Sequence, residues 1–244
     1  MSSVVVSFDS GTQLAGDNLS VIAQQGEANI IKVLADGEQS GASVSIVGGG
    51  LNDKIHLGVA GGSSVLGLGG NDTIIGGAKN DLLDGGEGHD FLEGAKGNDI
   101  ISGGLGDDEI FGNEGNDIIT AGAGDDIVSG GLGNDLISGG TGDDTIFGGP
   151  GLDTIKGGAG SDELVGGLGA DVFEFNAGEF TSESMDTITD FADVDKITIS
   201  GVGDGISYDP HTGIVSVDGV DAIDIGEGKD VHLTEVSDGE WEIF

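Results

Sequence analysis

Aspartate recurs at a fixed interval of nine residues through the middle of this 244-residue chain. The run has twelve members without a missed step: Asp72, Asp81, Asp90, Asp99, Asp108, Asp117, Asp126, Asp135, Asp144, Asp153, Asp162 and Asp171. An unbroken internal period of this kind is typical of repeat architectures in which each unit stacks on its neighbours. Stacked carboxylates repel one another unless a hard cation lies between them, and Ca²⁺ prefers six to eight oxygen ligands. The spacing therefore favours calcium as the partner of these aspartates.

Each of these aspartates is the sixth residue of a nine-residue unit, and the twelve units run from Gly67 to Glu174. Positions one and four are glycine in eleven units each, with Ala121 and Lys79 as the exceptions. Position eight is always apolar: Ile74, Leu83, Leu92, Ile101, Ile110, Ile119, Val128, Ile137, Ile146, Ile155, Leu164 and Phe173. Because glycine readily adopts positive φ, the first six residues predict a turn that aims carbonyl oxygens inward. The last three predict a short strand whose middle side chain faces a core.

A turn and a strand make half a coil, so two units return the chain to the same edge. The twelve units predict six coils and two rows of six aspartates, which have five gaps each and room for at most ten ions. The charge of residues 67–174 agrees with that number, since 22 acidic and 3 basic side chains leave −19 against +20 for ten calcium ions. Without metal, we expect the segment to be disordered by self-repulsion and by the entropy of its glycines. The aspartates at position five, Asp107, Asp125 and Asp143, are predicted to be solvated turn residues and not ligands.

The unit Gly-Gly-x-Gly-x-Asp-x-apolar-x resembles the hemolysin-type RTX nonapeptide. Its consensus is unaltered in GGEGHDFLE (85–93), GGLGDDEIF (103–111), GGLGNDLIS (130–138) and GGTGDDTIF (139–147). The resemblance implies an all-β parallel β-roll, a β-solenoid like the C-terminal roll of the serralysin proteases, with calcium held between stacked turns. Besides the twelve aspartates, it makes candidate ligands of the glycines in these four stretches: Gly85, Gly86, Gly88, Gly103, Gly104, Gly106, Gly130, Gly131, Gly133, Gly139, Gly140 and Gly142.

The overall composition limits the classes of partner. Seven lysines oppose 45 acidic residues and leave a formal charge of −38, which disfavours nucleic acid and anionic membrane surfaces. The chain has no cysteine, so disulfides and thiolate metal sites are excluded. No apolar run approaches the roughly 18 residues that a membrane span needs, and the first residues lack the pattern of a cleaved signal peptide. We expect no membrane insertion.

The flanks predict β-rich caps, which divides the chain into an N-terminal cap (1–56), the roll (57–174) and a C-terminal cap (175–244). GGGLNDKIH (48–56) is a degenerate unit that keeps Asp53 and Ile55, and the stretch between it and Asp72 is predicted to form a metal-free coil. Short apolar runs before it predict strands, whereas an amphipathic helix within 17–36 is the alternative.

The C-terminal flank has two segments, and each of them has two possible interpretations. DTITDFADVDKITISG (186–201) resembles the segment that closes the roll in secreted RTX proteins, with Asp186, Asp190 and Asp195 at its acidic positions, and the alternative is a solvated hairpin. The last residues, DGEWEIF, resemble the uncleaved signals of type I secretion. A terminal strand that packs Trp241 and Phe244 against the cap would have the same pattern.

No catalytic motif is present in the sequence, so we expect no enzyme. The favoured function is a noncatalytic extracellular calcium-binding protein with a structural or adhesive role, exported by type I secretion, whose roll folds and becomes rigid on binding Ca²⁺. One alternative is a subunit of an ordered assembly such as a surface layer, a filament or a virion exterior. Another is an accessory partner of a secreted enzyme.

Overall fold

A computed structural model describes residues 2–8, 19–22, 28–35, 43–58, 62–203, 205–227, 229, 231–237 and 239–244. Within these residues the chain is almost entirely β-structure, with one short 3-10 turn at Ala177–Glu179. None of the helical structure in these ranges is long and apolar enough to cross a membrane.

Strands alternate between two sheets along the chain. The first sheet, sheet A, contains ten strands in mutually parallel order: β1 (Ser2–Phe8), β3 (Asn29–Ala35), β5 (Lys54–Gly58), β7 (Thr73–Ile75), β9 (Phe91–Lys96), β11 (Glu109–Glu114), β13 (Ile127–Leu132), β15 (Thr145–Pro150), β17 (Glu163–Leu168) and β19 (Asp186–Ile188). Sheet B contains another ten: β2 (Leu19–Ile22), β4 (Val44–Val47), β6 (Ser63–Gly69), β8 (Leu82–Glu87), β10 (Ile100–Leu105), β12 (Ile118–Ala123), β14 (Leu136–Thr141), β16 (Thr154–Ala159), β18 (Val172–Asn176) and β20 (Lys196–Ser200). Consecutive coils therefore stack into a parallel β-solenoid, as the repeat predicted.

Pairing within each sheet follows the repeat length of two units. Ile100 pairs with Ile118, and Ile118 pairs with Leu136, each 18 residues further along the chain. Most strands within the repeat are six residues long, whereas three were expected. They continue through the Gly-Gly-x at the start of the next unit, and Gly104 pairs with Gly86 and with Gly122. The extension is possible because glycine has no Cβ to obstruct the neighbouring coil.

The core is a column of apolar, mostly aliphatic side chains between the two sheets. All twelve residues at position eight are buried, with at most 1% of their surface exposed, which confirms the predicted inward face. Neighbours at positions seven and nine point outward, as in Leu136 and Ser138 beside the buried Ile137. Period-two alternation thus separates core from surface in the strands of the repeat.

The segment predicted as the N-terminal cap is built from strands of the same two sheets. β1 pairs with β3, and β2 pairs with β4, both in parallel. The helical alternative for 17–36 is wrong where the chain is described, since Leu19–Ile22 and Asn29–Ala35 are strands. Residues 17–18, 23–27 and 36 of that alternative lie outside the described residues.

In the C-terminal segment one more strand pairs in parallel with β19 in sheet A, and antiparallel strands then end both sheets. Sheet A ends with β23 (Val220–Asp224), β22 (Ile214–Val217) and β21 (Ile206–Asp209), and sheet B ends with β25 (Glu240–Ile243) and β24 (Leu233–Ser237). The predicted terminal strand is present: β25 pairs antiparallel with β20 and buries Ile243. Trp241 is half-buried against the core, whereas Phe244 is exposed.

Candidate metal centre

The twelve repeat aspartates form two rows along opposite edges of the solenoid. Row one precedes the strands of sheet A and holds Asp72, Asp90, Asp108, Asp126, Asp144 and Asp162; row two precedes those of sheet B and holds Asp81, Asp99, Asp117, Asp135, Asp153 and Asp171. All twelve side chains are buried. Each turn places its aspartate directly before a strand, which fixes the carboxylate at the same height in every coil.

One carboxylate oxygen of each aspartate holds the coils together. The backbone N–H of Asp90 donates to Oδ1 of Asp108 at 2.8 Å, and the N–H of Asp108 donates to Oδ1 of Asp126 at 2.7 Å. In row two, the N–H of Asp99 donates to Oδ1 of Asp117 at 2.8 Å in the same way. A continuous ladder of backbone-to-carboxylate hydrogen bonds therefore runs along each edge.

The second carboxylate oxygen has no such partner. In the described part of the chain, Oδ2 is buried and lacks a hydrogen-bond partner in eleven of the twelve aspartates: Asp72, Asp90, Asp99, Asp108, Asp117, Asp126, Asp135, Asp144, Asp153, Asp162 and Asp171. Leaving one buried acceptor unsatisfied costs about 1–3 kcal/mol, and more if the group is charged. At eleven equivalent positions, the second carboxylate oxygen is thus free to accept a further ligand.

The glycine at position one leaves open the space that this oxygen faces. A Cβ on Gly67 would lie 2.3 Å from Oδ2 of Asp72 and 2.3 Å from the carbonyl oxygen of Gly85, one coil further on. A Cβ on Gly139 would likewise lie 2.2 Å from Oδ2 of Asp144 and 2.6 Å from the carbonyl oxygen of Gly157. The carboxylate oxygen of one coil and a carbonyl oxygen of the next thus converge beside a residue that has no side chain.

Glycines at positions two and four bring the backbones of successive turns into close contact. Gly104 and Gly106 have φ of 119° and 113°, in the left-handed region. A Cβ on either would lie 2.1 Å from the carbonyl oxygen of the equivalent glycine one coil earlier, Gly86 or Gly88. The candidate glycine ligands at these positions share the positive φ: Gly86, Gly88, Gly104, Gly106, Gly131, Gly133, Gly140 and Gly142. A Cβ on Gly104 or Gly106 would therefore collide with the preceding coil, and the carbonyls of successive turns stack along the edge.

The oxygen atoms beside the position-one glycines are suitable ligands for a hard cation. The oxygens that face each gap are one unpartnered carboxylate oxygen and backbone carbonyls, which is the ligand set that Ca²⁺ prefers. Across the described residues, no group of three or more His, Asp or Glu side chains is arranged to hold an ion. A metal in this structure would consequently be bound by carboxylates of stacked coils together with turn carbonyls, and not by a cluster of side chains alone.

Burial changes the acidity of the aspartates. Removal from water raises the pKa of Asp72, Asp99, Asp108 and Asp144 to about 7, although backbone N–H donors oppose the shift. The same cause raises the pKa of Asp126, Asp135, Asp153 and Asp162 to about 6. Neighbouring carboxylates raise these pKa values further, because each added negative charge disfavours ionisation. The metal-free rows therefore hold protons at a pH where exposed aspartates would be ionised.

Position five forms a separate ladder on the outside of each turn. Asp107, Asp125 and Asp143 are exposed, as predicted. They are hydrogen-bonded nonetheless: the N–H of Asp125 donates to Oδ1 of Asp107 at 3.0 Å, and the N–H of Asp143 donates to Oδ1 of Asp125 at 2.9 Å. The direction is opposite to that of the inner ladder, since each side chain here accepts from the following coil.

Asp81, the first aspartate of row two, and Asp53, which lies one coil before row one, differ from the others. Oδ2 of Asp81 accepts the N–H of Gly77 at 2.7 Å, and Oδ2 of Asp53 accepts the N–H of Gly49 at 2.7 Å. Both second oxygens are therefore satisfied by their own turn. Asp81 belongs to the unit with Lys79, whose residues 76–80 are outside any strand.

Both rows continue beyond the repeat into the segment that resembles the closing part of an RTX roll. The N–H of Asp162 donates to Oδ1 of Asp186 at 2.9 Å, and the N–H of Asp171 donates to Oδ1 of Asp195 at 3.1 Å. The hairpin alternative is wrong, because β19 and β20 pair in parallel with β17 and β18 in different sheets. Asp186 and Asp195 are again nine residues apart. Six additional residues between Asp171 and Asp186 interrupt the nine-residue period, so the continuation is not evident from the spacing alone.

Asp190 has a different role in this closing coil. Its Oδ1 accepts the N–H of Gly166 at 2.9 Å, and its Oδ2 accepts the N–H of Gly167 at 2.8 Å. Both oxygens of its carboxylate are thus bound to the backbone of the last repeat turn. Asp190 caps the coil, whereas Asp186 and Asp195 extend the rows.

Comparison with known families agrees with this geometry. The model of the RTX calcium-binding nonapeptide repeat, which spans four copies, matches residues 66–101, 102–137 and 138–173 in succession. No curated protein matches the chain. The matched blocks coincide with the coils whose aspartates form the two rows, and repeats of this family bind calcium. Residues 66–173 of this chain therefore belong to the RTX calcium-binding nonapeptide repeats.

Proposed function

We propose that this chain is a noncatalytic extracellular protein with a structural or adhesive role, whose roll folds and becomes rigid when Ca²⁺ binds between its turns. The observation that carries the proposal is the set of eleven buried aspartate oxygens without a hydrogen-bond partner. Calcium would be held by the carboxylates of the two rows and by turn carbonyls, at up to ten positions. Bound there, it would neutralise the carboxylates and supply the missing partner of each Oδ2.

Calcium-dependent folding is expected because the metal-free roll repels itself and bound calcium would neutralise its carboxylates. A chain of net charge −38 that buries its aspartates in rows has strong self-repulsion in the absence of metal. Ligands must be ionised to bind metal, and binding free energy becomes folding free energy where the unfolded chain has no formed site. Millimolar calcium outside cells would then favour the folded roll after export, for which the C-terminal DGEWEIF is the proposed type I signal.

Circular dichroism tests the proposal directly. The metal-free chain at pH 7 should lose β-structure over the roll, and added Ca²⁺ should restore it. Asp108→Ala should weaken calcium binding measured by isothermal titration calorimetry, because it removes a buried carboxylate of row one. Asp107→Ala is the matched comparison and should cause a smaller loss, since it changes the adjacent exposed carboxylate, which is not a ligand. A chain equally folded with and without calcium, or equal losses in the two variants, would contradict the proposal.

A further inference from the structure

The two edges of the solenoid share one backbone geometry but differ in charge. Position five of row one is occupied by Asp107, Asp125 and Asp143 in three successive coils, whereas row two has asparagine there: Asn98, Asn116 and Asn134. The N–H of Asn116 donates to Oδ1 of Asn98 at 3.0 Å, and the N–H of Asp125 donates to Oδ1 of Asp107 at 3.0 Å. Aspartate and asparagine thus make the same hydrogen bond in the same place, and only the charge distinguishes the two edges.

The charges at position five reach the buried aspartates of their own row. Asp107 and Asp125 both act electrostatically on Asp126, and Asp143 acts on Asp162. In row two, the carboxylates that act on Asp99 and Asp135 are all members of that row. The potential along row one is therefore more negative in the middle of the roll.

We propose that the two rows bind calcium in sequence: row one fills at lower free Ca²⁺ than row two, and Asp107, Asp125 and Asp143 set the difference. The inference rests on the proposed function, because it concerns the same calcium positions. The three side chains are not ligands in this scheme. They are exposed, and they act at a distance by making the edge more attractive to a divalent cation.

The size of the effect follows from Coulomb's law in water. One unit charge about 6 Å from a divalent ion changes its binding by about tenfold before salt screening. We therefore expect the half-saturating Ca²⁺ concentrations of the two rows to differ by about tenfold at low ionic strength. Raising the salt should narrow the gap, because exposed charges are screened within about 10 Å at 0.1 M.

The test exchanges the charges between the edges. One variant carries Asp107→Asn, Asp125→Asn and Asp143→Asn, which gives row one the side chains of row two. The reciprocal variant carries Asn98→Asp, Asn116→Asp and Asn134→Asp. Calorimetric titration with Ca²⁺ at low salt should resolve two classes of site in the native chain. In the first variant the classes should merge at the weaker affinity, and in the second at the tighter affinity.

Residue-specific signals assign the classes to the rows. In a ¹⁵N–¹H spectrum, the amides of Gly106 and Asp108 should saturate at lower Ca²⁺ than those of Gly115 and Asp117. Three results would overturn the inference while leaving calcium binding intact. The two classes could persist unchanged in both variants, the two edges could saturate together, or the native chain could show a single class of site. Absence of any calcium binding would instead overturn the proposed function. Circular dichroism at saturating Ca²⁺ checks that each variant folds, and either variant alone is sufficient to decide.

Discussion

At the scale of single residues, the repeat predicted where the aspartates lie but not how their two oxygens differ. A step of nine places Asp90 and Asp108 on one edge, and their burial follows from the apolar position two residues later. The sequence does not reveal that Oδ1 accepts the N–H of the preceding coil while Oδ2 has no partner. That division depends on the orientation of each side chain, which a nine-residue pattern of residue types does not specify.

Three residues at position two adopt a conformation that glycine prefers. Leu68, Ala95 and Asn113 have φ of 81°, 78° and 76°, where the other units of the consensus pattern have glycine. The departures from consensus were visible in the sequence, but the strain was not, because positive φ at position two depends on how the strand continues into the turn. A side chain with a Cβ costs about 1–2 kcal/mol in this region.

Replacing the strained alanine should stabilise the roll. Ala95→Gly removes the Cβ at positive φ, and we expect the free energy of unfolding to rise by about 1 kcal/mol after the extra freedom of glycine in the unfolded chain is subtracted. Urea denaturation at saturating Ca²⁺ measures the change. Asn113→Gly is the matched control and should have a smaller effect, because asparagine tolerates left-handed φ better than alanine. A decrease in stability for Ala95→Gly would show that the position is not strained.

At the scale of strands and coils, the alternation of inward and outward side chains was predictable and the length of the strands was not. Position eight is apolar in every unit, so the inward face was evident. The six-residue strands arise because Gly-Gly at the start of the next unit pairs with the same glycines in adjacent coils. In the closing coil the step between equivalent aspartates rises to 24 residues, as from Asp162 to Asp186. Nothing in a nine-residue pattern anticipates an insertion that leaves both sheets in register.

The column of position-eight side chains should dominate the stability of each coil. Ile137 is completely buried between strands of both sheets, whereas its neighbour Leu136 is 50% exposed on the same strand. Ile137→Ala should lower the free energy of unfolding by about 2–5 kcal/mol, because it removes buried methylene groups and leaves a cavity. Leu136→Ala should change it by about 0.5 kcal/mol or less. Chemical denaturation at saturating Ca²⁺ tests both, and similar losses in the two variants would refute the inward assignment.

At the scale of the whole molecule, the composition predicted a cationic partner, whereas the structure of the two terminal segments was harder to predict from the sequence. The excess of 45 acidic residues over seven lysines indicated a cationic partner, and the two buried rows place twelve of those acidic residues at the edges of the roll. The ends were harder to predict because they lack the repeat. Asp53 and Asp195 belong to the same ladders as the repeat aspartates, yet their neighbours in sequence do not follow the consensus.

The stability of the folded roll should depend on pH in opposite directions with and without calcium. The pKa of Asp72 and Asp108 is raised from 3.8 to about 7 in the metal-free fold, chiefly by burial. A raised pKa means that the folded chain binds protons more tightly than the unfolded chain does. This contribution to stability is therefore complete below about pH 4 and is lost as the pH rises through about 7. Calcium reverses the trend, because it requires ionised carboxylates and competes with those protons.

Thermal melts between pH 5 and pH 8 check this reversal. In metal-free buffer, the melting temperature should rise as the pH falls, so acid should restore β-structure that is lost at neutral pH. At saturating Ca²⁺, the melting temperature should fall as the pH is lowered from 7 to 5, because protonated aspartates release the ion. Dilute protein is needed at the acid end, since the isoelectric point is near 4.1. Parallel profiles in the two buffers would show that the buried rows do not titrate in the folded chain, and the link between charge burial and calcium-dependent folding would fail.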